Sequence, residues 1–285
     1  MIETREDYSP EESNTPPRET ALPENDWGTQ PPSIGEVVIP EPSERLWTFA
    51  DLGLFLLFAL ASMVLAAGTV FGGFSALNKI LGLGMSIEDS VAQTAIAVSI
   101  QVLWEICWVV FIYHIVVDKY RLGFWKGLKW DHGNVQPSKF VLAGVALSIA
   151  IQLSSQFFPK RADMPIEKLF DTPSSAYLLA FFGICVAPFM EEMVFRGFFY
   201  PVLEKRWGTV AAVLITGTSF AALHAQQVGG IGPELLAILA VGMTLSTVRA
   251  MTGSLKPSFL MHLGYNSTLF ILLFISTNRF QTLAN

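Results

Sequence analysis

The sequence predicts an all-α protein: a polytopic helical bundle of about seven membrane spans, preceded by an acidic tail. Three observations carry that prediction. The 285 residues are 52% hydrophobic and only 15% charged, whereas soluble domains hold about 25% charged residues. Several apolar runs reach the roughly 20 residues that a helix needs to cross a bilayer. No strand-like alternation, and no barrel pattern of roughly ten-residue segments, competes with them.

The N-terminal segment is of a different kind. Residues 1–45 hold 11 acids and three arginines, a net charge of −8 against −6 for the whole chain, so the remainder carries +2. Prolines at 10, 16, 17, 23, 31, 32, 40 and 42 interrupt it. Such a composition offers little to bury and cannot sustain a helix, which predicts a disordered, solvated tail over residues 1–46 and a multi-pass membrane domain over 47–285. The tail lacks the basic start and immediate apolar core of a secretory signal, so the first span is expected to stay as an anchor. With the acidity confined to the tail, the surroundings implied for the chain are a lipid bilayer, and nothing points to nucleic acid.

Apolar runs and their breakers place the spans near Phe49–Phe71, Val91–Val117, Lys139–Phe158, Ala176–Leu203, Thr209–His224, Glu234–Arg249 and Pro257–Ser276. The fourth is long and contains Pro188, Gly197 and Pro201, which predicts a kinked span followed by a shorter helix. If the spans alternate, Lys119, Arg121, Lys126, Lys129, Lys205, Arg206, Arg249 and Lys256 fall in connections on one side. Lys79, Lys160, Arg161 and Lys168 fall on the other. By the positive-inside rule the tail, the Tyr120–Asp131 loop and the Lys205–Arg206 turn face the cytoplasm. Trp125, Trp130 and Trp207 fit an interfacial belt beside those loops, with ordinary packing as the alternative. Cys107 and Cys185 sit among apolar neighbours and read as packing thiols rather than a disulfide or a metal pair.

The chemistry is concentrated in Glu191-Glu192-Met193-Val194-Phe195-Arg196, two acids and a guanidinium inside an otherwise apolar span. Ionisable groups at membrane depth persist mainly where they pair, line a cavity or react. Glu192 and Arg196 are four apart and meet on one helix face, while Glu191 is turned by about 100°. The first two can therefore neutralise each other, leaving Glu191 free to act on water or a substrate as a general base. Phe220 with His224, and His262 with Asn266, add polar groups at the same i,i+4 spacing in two later segments. Measured from the turn at Arg206–Gly208, Glu191 and His224 lie at similar depth, each about 22–26 Å along an ideal helix. His262 and Asn266, measured from Lys256, lie only about 9–15 Å deep. Either the helix carrying the acids bends toward them or the last span starts deeper.

Each feature also has a plain structural reading. Glu192 with Arg196 can be an ion pair that only holds helices together, and His224 or Asn266 alone can be an interhelical hydrogen bond. Convergence of Glu191, His224, His262 and Asn266 from three separate spans is what favours an active site. Glu105 is a further buried acid with no evident partner in its segment, read as structural or cavity-lining. His114, near a span end, reads as interfacial. Gly229, Gly230 and Gly232 form a flexible connection, because no Lys and Ser/Thr follow as a phosphate loop requires.

Taken in order, Glu191-Glu192-x-x-x-Arg196, Phe220-x-x-x-His224 and His262-x-x-x-Asn266 resemble the CAAX prenyl endopeptidase and bacteriocin-processing family of intramembrane proteases, also called the Abi family. The resemblance covers roughly Leu178 to Leu273, within a core of residues 176–277. The strings Met190 to Phe198 and Thr252-Gly253-Ser254-Leu255-Lys256-Pro257 look like bacterial members, which implies the plasma membrane of a bacterium. The acidic tail is not part of the family pattern. The resemblance implies a helical membrane core with a conical cavity, in which a glutamate and a histidine activate water without a metal or other cofactor. On this chain Glu191 would be the base and His224 would help hold the water. His262 and Asn266 would stabilise the oxyanion, with Glu192, Arg196 and Phe220 in support. The implied partner is a peptide or lipidated protein substrate.

Three other readings stand beside it. Glu191, His224 and His262 also make a carboxylate and two-imidazole set of the kind zinc accepts, although the paired-histidine helix of zincins is missing. The cavity could instead serve a non-enzymatic partner, such as an immunity or assembly factor. A transporter using Glu105, Glu191 and Glu192 would be expected to carry an inverted repeat, and none is visible.

Overall fold

The computed structural model describes residues 46–87, 89–130, 136–159, 164–170 and 172–282. Apart from Leu46, the acidic tail expected over 1–46 lies outside the described residues, as do Lys160 and Arg161. All described regular structure is helical. In chain order the helices are α1 (Phe49–Leu81), α2 (Ser90–Tyr113), α3 (Phe124–Gly127), α4 (Pro137–Ser155), α5 (Pro173–Phe181), α6 (Ala187–Glu192), α7 (Tyr200–His224), α8 (Pro233–Thr252) and α9 (Leu255–Ser276). Wider π turns continue α2 through His114–Lys119, join α5 to α6 through Phe182–Val186, and join α6 to α7 through Met193–Phe199. A 3-10 segment covers Pro165–Phe170.

Among the described residues, six helical stretches are long and apolar enough to cross a membrane, where the sequence reading placed seven. The difference lies in one stretch of 52 residues, Pro173–His224, which holds the two segments expected at Ala176–Leu203 and Thr209–His224. They are joined at Gly208, whose φ of 81° and ψ of 170° leave the helical region. Without a Cβ, glycine adopts that conformation at no steric cost. The chain folds back there: Phe195 and Phe220 would be roughly 37 Å apart on a straight helix, yet their ring centroids are 5.4 Å apart. The kink expected in the first of these segments takes the form of the two π turns.

Helix ends follow local chemistry. Thr48 and Asp51 form a capping box that starts α1, satisfying main-chain N–H groups that have no helical partner. The Asp51 carboxylate, fully buried, also accepts from Lys119 Nζ and from the Tyr120 hydroxyl at 2.7 Å, which ties the start of α1 to the end of α2. Gly253, with φ 64°, ends α8, and Ser254 opens α9 while donating to the Trp130 carbonyl at 2.9 Å. The Thr252-Gly253-Ser254-Leu255 string is thus the turn between the last two helices.

Packing depends on close backbone approach, as membrane helix pairs do when the surrounding lipid is as apolar as they are. A Cβ on Gly144 of α4 would lie 2.0 Å from the Met261 carbonyl oxygen of α9, and one on Gly264 would lie 2.3 Å from that of Val141. Helices α7 and α8 meet in the same way at Gly217 and Gly242. The largest buried cluster joins Trp47, Phe55, Trp108, Phe195, Phe198 and Phe220, so α1 and α2 pack against the π turn at Met193–Phe199. By contrast Leu57, Leu60, Val64 and Leu65 of α1 are mostly exposed, an apolar face suited to lipid. Cys107 and Cys185 are free thiols, but Cys185 is exposed rather than packed, because it lies on an outward side of its π turn.

Candidate active site

Glu191 and Glu192 end α6, and the π turn that follows carries Arg196. Glu192 and Arg196 are both fully buried, with Arg196 Nη1 donating to Glu192 Oε1 at 2.9 Å. The guanidinium is satisfied on its other sides. Its Nη2 donates to the Gly242 carbonyl at 2.8 Å and its Nε to Ser246 Oγ at 3.3 Å, while the Phe220 ring lies 4.7 Å from its central carbon. A buried ion pair is tolerable only when its remaining donors are met in this way. Arg249 of α8, also buried, donates from Nε to the Arg196 main-chain carbonyl at 3.1 Å. The Trp47 indole N–H donates to the Phe198 carbonyl at 2.6 Å. Two side chains from distant segments therefore hold the main chain of this π turn, a helix form that recurs at functional sites.

The two acids bracket His262. Its Nδ1 lies 3.1 Å from Glu192 Oε1, and its Nε2 lies 3.7 Å from Glu191 Oε2. A carboxylate paired with Arg196 only accepts, so Nδ1 carries the proton and Nε2 faces Glu191. The same logic fixes His224: its Nδ1 donates to the Phe220 carbonyl at 2.9 Å, which leaves Nε2 facing Glu191 Oε1 at 3.7 Å. Glu191 thus stands between two imidazole nitrogens. Its side chain and that of His224 are 18% and 20% exposed, against 4% for His262, so Glu191 and His224 are the members open to solvent.

That opening is a cavity of about 830 Å³ lined by Glu191, His224 and Asn266 among mostly apolar side chains from α2, α5, α9 and the Pro165–Phe170 segment. Asn266 donates from Nδ2 to the Gly183 carbonyl at 2.7 Å, so one of its two N–H bonds is already used. All four residues expected to carry the chemistry are brought together at or beside one cavity wall. Among the described residues, no group of three or more His, Cys, Asp or Glu is arranged to hold a metal ion.

The apparent difference in depth has a geometric resolution. A Cβ on Gly197 would lie 3.3 Å from Leu255, the first residue of α9. The last helix therefore begins level with Gly197 and not with the turn at Gly208, which puts its start about eleven residues, or roughly 16 Å, further along. His262 then reaches the depth of Glu191 because its helix starts deeper, the second of the two alternatives.

Sequence reasoning missed several supporting groups. Arg249, expected in a loop, lies within α8 and is 2% exposed. Gly242, Ser246 and Arg249 fall at i, i+4 and i+7 and so share one helix face, a pattern that could have marked them. Glu105 does have a partner in its own segment, since Gln101 Nε2 donates to its Oε1 at 2.8 Å from one turn earlier.

Residues 173–268 match the family model described as type II CAAX prenyl endopeptidase, Rce1-like. No curated protein and no solved structure matches the chain.

Proposed function

Residues 173–268 are a domain of the Rce1-like type II CAAX prenyl endopeptidase (CPBP) family of membrane proteases, and from that premise we propose that this chain is a metal-independent glutamate endopeptidase acting on a membrane-associated or prenylated peptide. The observation that carries the reading is Glu191, which faces Nε2 of both His224 and His262 at 3.7 Å on the wall of the cavity.

Glu191 Oε1 and His224 Nε2 are both acceptors in the arrangement described, and two facing acceptors call for a donor between them. A water at about 2.8 Å from each would give one proton to either side. As that water attacks the scissile carbonyl carbon, Glu191 takes its proton as general base, and the new C–O bond leaves negative charge on the carbonyl oxygen. Asn266, through its second N–H, and His262 when protonated are the donors assigned to that oxyanion. The tetrahedral intermediate collapses with cleavage of the C–N bond, and the proton held by Glu191 passes to the departing amine. Glu192, Arg196 and Phe220 hold His262 and His224 in orientation and touch no reacting atom. The N-terminal tail and the Lys205–Arg206 turn are assigned to the cytoplasmic side on charge alone.

The test is mass-spectrometric comparison of cleavage products from membranes containing wild type, Glu191→Gln or His224→Ala protein, with and without a chelator. Products lost in both variants and unaffected by chelation are the expected result. Loss on chelation would favour the zinc reading. Identical products in all three, with each variant folded and inserted, would overturn the protease reading in favour of a binding partner that uses the same cavity.

A further inference from the structure

The family match begins at residue 173, yet the cavity has a second wall contributed by α2. Ala97, Val98 and Gln101 line that wall, and Glu105 lies one turn beyond, 1% exposed. Gln101 is the polar side chain that α2 presents to the cavity, and its orientation follows from its partner. Gln101 Nε2 donates to Glu105 Oε1 at 2.8 Å. In the structure the NH2 group is turned to Glu105, and that bond sets the orientation of the carboxamide. What remains for the cavity is the carbonyl oxygen Oε1, an acceptor set among apolar side chains. Gln101 lines the same cavity as Glu191, His224 and Asn266, so this wall and the proposed point of attack share one space. The second carboxyl oxygen of Glu105 is buried without a hydrogen bond among the described residues, so the pair is maintained against a desolvation cost.

We propose that Gln101 Oε1 accepts a hydrogen bond from a main-chain N–H of the bound peptide, and that Glu105 is the positioning residue that aims it. The inference rests on a peptide occupying the cavity, as the protease reading requires. An apolar cavity gives side chains little directional information, whereas a fixed acceptor sets which residue of an extended segment lies against it. A peptide N–H in such a cavity also needs an acceptor to avoid being buried unpaired. Gln101 supplies one in the same cavity as the reacting groups and thereby sets which peptide bond reaches Glu191.

The experiment is a binding measurement on purified, full-length Glu191→Gln protein, so that turnover plays no part. The probe is a fluorescent farnesylated peptide ending in a CAAX sequence, together with a set of the same peptide N-methylated at one main-chain nitrogen at a time. Gln101→Leu, which removes the acceptor at similar volume, should raise the Kd of the unmodified peptide about tenfold. At one position N-methylation should weaken binding to the parent about tenfold and weaken binding to the Gln101→Leu protein no further. Glu105→Gln keeps the volume but can pair with Gln101 in either orientation, so its Kd should rise about twofold. That variant carries the test if Gln101→Leu does not fold. The proposal is overturned if Gln101→Leu binds as the parent does, if every N-methylated peptide loses affinity equally in parent and variant, or if the parent binds none. Intact binding with this pattern, in a wild type that cleaves nothing, would leave the inference standing and remove the protease reading alone.

Discussion

Two fully buried carboxylates in this molecule hold cations in different ways. Asp51 sits at the start of α1 and pairs with Lys119, whose side chain is 52% exposed, while Thr48 and Tyr120 meet its remaining lone pairs. Glu192 sits inside the bundle and pairs with Arg196, and neither has any exposure. At the periphery one partner keeps its water, so the pair can loosen without stranding a charge. In the interior neither charge has an alternative, and three helices are committed to the geometry that pairs them. The first arrangement fastens two helix ends, whereas the second fixes the groups around the proposed reaction centre.

The difference can be broken most forcefully at Arg196. Arg196→Leu leaves Glu192 unpaired in the bundle interior and should cost about 3–5 kcal/mol, read as a large fall in melting temperature or loss of folded protein in detergent. An unchanged melting temperature would mean that water enters this region and that the interior pair is no more committed than the peripheral one. Gly242→Ala probes the same centre through the backbone, since an added Cβ would lie 2.9 Å from the Gly217 carbonyl oxygen. It should cost about 1–3 kcal/mol by separating α7 from α8 and also reduce cleavage, because the Gly242 carbonyl is an acceptor for Arg196. A stability loss with full activity would uncouple that acceptor from the site.

At the periphery the effects should shrink. Asp51→Asn keeps the shape but removes the charge, and about 1–2 kcal/mol is expected, with cleavage retained. Lost cleavage at intact stability would show that the α1 end reaches the site, for instance through the neighbouring Trp47 contact to Phe198. Lys119→Ala should have the smallest effect, less than Asp51→Asn, and one that salt further diminishes. A melting shift as large as that of Asp51→Asn, unaffected by salt, would make the two regions alike.

The same contrast explains what could be read before the structure. Membrane helices announce themselves by length and composition, and the i,i+4 pairs Glu192 with Arg196, Phe220 with His224, and His262 with Asn266 lie within single segments, so spacing alone places each on one face. Contacts between segments were less accessible. Arg249 looked like a loop cation because charge counting treats a basic residue near a span end as exposed, while its Nε bonds the Arg196 carbonyl from across the bundle. The two segments expected at Ala176–Leu203 and Thr209–His224 were legible all the same, since Gly208 leaves the helical region and the chain folds back on itself there. The start of α9 level with Gly197 depends on packing and on the anchoring of Ser254 and Leu255 by residues 129–130, which no local pattern encodes.

The π turns at Phe182–Val186 and Met193–Phe199 have a consequence for how this stretch of chain tolerates change. A π turn is a helix holding one residue more than regular pitch needs. Excising that residue would restore the ordinary ladder and rotate everything beyond it by about 100° relative to everything before it. At the first turn, Glu191 would swing away from the side of the helix on which Gly183 receives Asn266. At the second, Phe198 would leave Trp47 while Glu192 stayed in place. Between Gly183 and Phe198 the chain is therefore a counting device as well as a packed helix: it can exchange many side chains for others of similar size, but a single-residue deletion changes which face meets the cavity.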